Sequence, residues 1–123
     1  MEKTIIKIHA IGFEGSEELS DLSQSLDIKS INKYGFGGIE DLMTIFILEV
    51  VKNAAKKTIN KIEVFAVELY KSLQANKTQE LQEIIVTIEH EGDELFKKTL
   101  RVEELSQLPQ IVSDQLKKDL NGQ

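Results

Sequence analysis

Apolar and polar residues alternate from Thr4 to Phe13, with Ile6, Ile8 and Ala10 on one side and Ile5, Lys7, His9 and Ile11 on the other. A period of two over that length predicts a strand. Gly12 and Gly15 punctuate its end, and Ser16 stands where it would cap a short helix. Glu17 and Glu18 fall in the first turn of that helix, where carboxylates suit the positive end of the dipole. Leu19, Leu22 and Leu26 give it a narrow apolar stripe. Residues 27–34 hold only Ile28 and Ile31 as aliphatic positions, enough for a short edge strand or a loop. Gly35, Gly37 and Gly38 then break the chain.

The stretch from Ile39 to Leu73 organises the rest, and its two halves differ. Ala55, Thr58, Ile62, Phe65, Leu69 and Leu73 make one stripe at three-four spacing, with Lys57, Lys61 and Lys71 off it, as in an ordinary amphipathic helix. Between Leu42 and Val51, by contrast, only Thr44 and Glu49 are not apolar. Read as one helix over 39–73, the stretch starts well, with Glu40 and Asp41 in the first turn after a glycine break. Such a helix is roughly 50 Å long, against roughly 35 Å for a compact domain of this size, so it would project and need a cover. Read as a strand over 42–51 and a helix over 54–73, the apolar run is rich in β-branched residues and Asn53 can cap the helix. The absence of glycine at Lys52-Asn53, where a sharp strand-to-helix turn expects one, favours the single helix.

Gln74 to Gln79 is a polar loop. Residues 84–91 and 94–102 read as a β-hairpin, with Ile84, Val86 and Ile88 on one face and Phe96, Leu100 and Val102 on the facing one. Bringing those faces together requires partners of equal parity, which predicts a loop of three or five residues around Gly92-Asp93. A last helix over about 106–120 turns Leu105, Leu108, Val112, Leu116 and Leu120 inward, with Pro109 tolerated in its first turn. The fold class is therefore α+β, in the order β-α-(β)-α-β-β-α: one domain over residues 1–123, a small sheet with a C-terminal hairpin packed by helices.

Composition narrows the function. The chain has 21 acidic and 15 basic residues, a net charge of −6, which argues against a broad nucleic-acid-binding face. Cysteine is absent, so there is no disulfide, thiolate nucleophile or thiolate metal site. The N-terminus lacks a signal peptide's pattern, and the apolar run from Leu42 is too short to span a bilayer. The expectation is a cytoplasmic protein. Candidate chemistry is thin. His9 and His90 sit on predicted strands and, with a carboxylate such as Glu91, could form a three-ligand metal site if those strands are neighbours. Glu89, Glu91, Asp93 and Glu94 cluster at a hairpin tip without the spacing of a calcium loop. The GFGG run lacks the phosphate-binding patterns, and no serine lies in a nucleophile elbow. No catalytic residues and no cofactor are expected.

In the order of its pieces the sequence resembles the effector-associated constant component domain of bacterial conflict (defence) systems. The resemblance covers roughly residues 4–116: the first strand with its EELSDLSQSL helix, the glycine break opening IEDLMTIFILEV, the helix ending ELYKSL, and IIVTIEHEGDELFKKTLRV. It implies a small non-enzymatic partner of variable effectors, with no catalytic residues. Independently, the surplus of aliphatic residues marks the apolar segment as an expected interface, through Leu42, Met43, Ile45, Phe46, Ile47 and Val50, used for self-association as a homo-oligomer or for binding an effector. Leaving each of these side chains exposed would forgo on the order of 1.5–3 kcal/mol, and so large an apolar patch normally marks a contact. Two rival readings are an acidic antitoxin or immunity-type protein that neutralises a basic toxin, and a small metal-dependent enzyme using His9 and His90.

Overall fold

The computed structural model describes residues 4–11, 17–33, 43–50, 55–75 and 83–121. The elements are strand β1 (Thr4–Ile11), helix α1 (Glu17–Ser25), strands β2 (Lys29–Lys33) and β3 (Met43–Val50), helix α2 (Ala55–Ala75), strands β4 (Glu83–His90) and β5 (Asp93–Arg101), a 3-10 turn (Val102–Gln107) and helix α3 (Leu108–Asn121). The five strands form one antiparallel sheet in the order β2-β3-β1-β4-β5. The α+β class is as the sequence indicates, in the order β-α-β-β-α-β-β-α.

The single helix over 39–73 is not formed. Residues 43–50 are a strand paired with β2 on one edge and β1 on the other, and the helix begins at Ala55, as in the alternative division of that stretch. At 21 residues α2 is roughly 32 Å long and does not outrun the domain. The physical reason lies in β3's place inside the sheet. Paired on both edges, β3 is apolar at most positions of both faces, and a continuous apolar run has no period to separate strand from helix. Ser16, Asn53, Leu42, Val51 and the break at Gly35, Gly37 and Gly38 lie outside the described residues.

Parity assigns the two faces. The even positions Ile6, Ile8 and Ala10 of β1, Phe46, Leu48 and Val50 of β3, and Ile84, Val86 and Ile88 of β4 share one core. Leu19, Ile62, Phe65, Leu69, Leu73, Leu105, Leu108, Val112 and Leu116 close over it. Every described helix therefore packs on the even face. Phe46 meets Phe65 edge-on with ring centroids 4.8 Å apart, a geometry that adds to simple burial. The even-numbered half of β3's apolar run is thus housed by its own chain. The expectation that Phe46 and Val50 face a partner is corrected, since both point into the core, Phe46 at 1% exposure.

α1 ends by left-handed capping. Asp27 has φ 58, and the Ile28 amide donates to the Ser23 carbonyl at 2.8 Å. This sends the chain sharply into β2 at the sheet's edge, with Ile28 buried. α3 has Pro109 in its first turn as expected.

The hairpin departs from the expected loop. His90 pairs with Asp93, so the loop is only Glu91-Gly92, both at positive φ (52 and 87). That is the backbone of a type I′ turn, whose twist matches the flanking strands. A two-residue loop alone would turn the apolar face of β5 outward. A bulge corrects it: Glu89 pairs with Glu94 and Ile88 with Phe96, leaving Leu95 unmatched and half exposed. Leu100 then returns to the core opposite Ile84.

Because asparagine tolerates the left-handed region and glutamate does not, Glu91→Asn should raise stability by about 0.5–1 kcal/mol in urea unfolding. Glu91→Gln, which removes the same charge without the backbone preference, should not. A gain in the glutamine variant equal to that in the asparagine variant would assign the effect to charge instead.

Candidate functional site

The second face of the sheet carries the odd-numbered positions. Read across the strands, one row runs Ile31, Ile45, His9, Ile85 and Thr99, and the next runs Lys29, Ile47, Lys7, Thr87 and Lys97. The row beyond holds Glu49, Ile5, Glu89 and Glu94. The β2-β3-β1 half gathers Ile31, Met43, Ile45, Ile47 and Ile5 among Lys29, Lys7, His9 and Glu49. Ile31 is 43% exposed, Met43, Ile47 and Ile5 are half-buried, and Ile45 is buried but belongs to no part of the helix-side core. Of the residues expected at an interface, the structure brings Met43, Ile45 and Ile47 together here, and adds Ile5 and Ile31 from the neighbouring strands.

The β1-β4-β5 half is polar and holds a shallow cavity of about 290 Å³ lined by Lys7, His9, Thr87, Glu89, Glu94 and Lys97, with Ile85. Lys7 Nζ lies 2.7 Å from Glu89 Oε2, and both side chains are partly open to solvent. A pair so placed contributes about 0–1 kcal/mol. Two lysines and two glutamates cancel there, so the cavity offers neither the concentrated positive field that holds an anion nor a converging set of ligands.

The strands bearing the two histidines are neighbours, but the register parts them. His9 pairs with Ile85 on β4 and His90 with Thr4 on β1. Five residues of extended chain between Ile85 and His90 span roughly 17 Å. The faces differ as well. His9 is on the odd face, whereas His90 Nδ1 is 2.9 Å from the hydroxyl of Thr4, a buried residue on the even face. Among the described residues no three His, Asp or Glu side chains are grouped as metal ligands. Glu89, Glu91, Asp93 and Glu94 are spread over the turn and both strands of the hairpin, not gathered on one side.

One surface feature escaped the sequence reading. Outside its core stripe α2 exposes Val64, Val67 and Tyr70, beside an open groove of about 790 Å³ against the 3-10 turn and the start of α3. Val67, Tyr70 and Pro109 form its apolar wall, and Glu63, Lys71 and Glu103 its charged rim. The signal was present as two valines off the lysine-bearing side of the stripe. No described helix is long and apolar enough to cross a membrane.

No family model matches the sequence, and no curated protein matches it. Among solved structures, a phage SAM lyase in complex with S-methyl-5'-thioadenosine is similar over 80% of this chain and 88% of that one, with 11% sequence identity and a TM-score of 0.45. The likeness is one of outline, and no residue role passes from that enzyme to this chain.

If the histidines serve no common metal, titrating the purified protein with zinc in a calorimeter should give the same weak response for the native chain, His9→Ala and His90→Ala. Stoichiometric binding abolished by both substitutions would contradict the separation of the two side chains.

Proposed function

We propose that this chain is a non-enzymatic protein-association module of a bacterial conflict system, and that it binds its partner through the aliphatic half of the sheet face opposite the helices. The setting rests on the family resemblance in the order of sequence pieces. The mode of action rests on one observation: exposed Ile31 and half-buried Ile5, Met43 and Ile47 surround the buried Ile45 across three adjacent strands, and the described helices all pack on the other face. Ile31 and Ile45 are directly opposite, and Ile47 and Ile5 are diagonal neighbours, a spacing at which cross-strand side chains interact. Contiguous apolar surface of this kind costs free energy until it is covered. The occupant is an effector polypeptide that lays apolar side chains on this half while its polar rim meets Lys7, Lys29 and Glu49.

The test is complex formation with the product of an adjacent gene, read by size-exclusion chromatography with light scattering. Ile31→Asp and Ile47→Asp should each weaken the complex by about 2 kcal/mol or more, roughly thirtyfold in Kd. Ile31→Asp should melt within a few degrees of the native protein, because Ile31 contributes little to the core. Undiminished binding by both variants, or no complex with the native chain, would reject this reading.

A further inference from the structure

Strand β5 is an outer strand of the sheet, and its side chains from Asp93 to Thr99 are exposed apart from half-buried Phe96. Lysines on an outer strand normally discourage another chain from pairing with it. Here they are half of a pattern: Asp93 and Glu94 precede Phe96, and Lys97 and Lys98 follow it. Among the described residues none of these four charges enters an ion pair. We propose that two copies of this chain join antiparallel along their β5 strands, centred on Phe96, into one continuous sheet of twice the width.

The bulge makes the register work. With Leu95 removed from the ladder, Glu94 stands one position before Phe96 and Asp93 two, as Lys97 stands one after and Lys98 two. Glu94 and Lys97 lie opposite Glu89 and Thr87, on the open face. Asp93 and Lys98 lie opposite His90 and Val86, on the helix face. An antiparallel partner centred on Phe96 therefore sets Glu94 against the partner's Lys97 and Asp93 against the partner's Lys98, each pair on one face. The two-fold axis repeats both pairs and brings Phe96 beside its own copy. In an unbulged strand the same partners would fall on opposite faces.

The alternatives are repulsive. Parallel, in-register pairing of β5 sets acid on acid and base on base. Centring the antiparallel pair on Lys97 sets that lysine against itself. Self-pairing of β5 is therefore specified in one register and direction. The two-fold axis runs perpendicular to the sheet, so both helix layers lie on one side and both open faces on the other. This goes beyond the effector-binding reading and stands independently of it: dimerisation would present the effector with two apolar areas side by side.

Sedimentation velocity of the full chain at tens of micromolar tests it. The native protein should sediment as a dimer. Asp93→Lys/Glu94→Lys and Lys97→Glu/Lys98→Glu should each sediment as monomers, because every cross-strand pair then carries like charges. An equimolar mixture of the two variants should recover the dimer, since every pair across that heterodimer is opposite in sign, and recovery also shows that both variants are folded. Ile31→Asp should leave the native dimer intact. A monomeric native chain, dimers in both charge variants, a mixture that stays monomeric, or a dimer abolished by Ile31→Asp would overturn the proposal.

Discussion

The edge-on contact of Phe46 with Phe65 ties the two layers of this domain together. Phe46 comes from a strand with paired neighbours on both edges, and Phe65 from the middle of the helix that covers it. Burying each ring is worth roughly 1.5–3 kcal/mol. More than its size, the contact fixes which side of β3 is inside. With Phe46 inward, Leu48 and Val50 must follow it and Ile45 and Ile47 must face away. The neighbouring strands are then locked in the same sense, since a slip of one residue would turn an entire aliphatic set to the other face.

That constraint explains why the hairpin is built as it is. The type I′ loop at Glu91-Gly92 suits the twist of the strands but gives partners of opposite parity, and the core requires equal parity at Ile88 and Phe96. The unmatched Leu95 reconciles the two demands. Its consequence reaches the outer edge of the sheet, where the same skipped residue makes the charge pattern of β5 symmetric about Phe96. A local correction to a loop thereby shapes the surface another chain would meet.

The parts of the fold legible in the sequence are those with one wet side. β1 declares itself by alternation, α2 and α3 by three-four stripes, and the hairpin by its facing aliphatic sets. β3 does not, because Ile45 and Ile47 are as apolar as Phe46 and Leu48, and a run without polar members carries no period. The site was legible to the same extent. Composition showed an excess of apolar side chains at 42–51 but could not divide them between the core and the open face; only the pairing with β2 and β1 does so. The bulge had no sequence signal, since Leu95 reads as an ordinary strand residue. His9 and His90 could not be placed without the register of β1 on β4.

The central claim is that β3 turns one row of side chains into the core and leaves the other for association. The chain has no cysteine, so single cysteines placed in turn at positions 46 to 50 report their own exposure through the rate of thiol labelling under native conditions. The account predicts a period of two, with fast labelling at 47 and 49 and strong protection at 46, 48 and 50. Labelling that followed a helical period, or that found position 47 as protected as position 46, would contradict it.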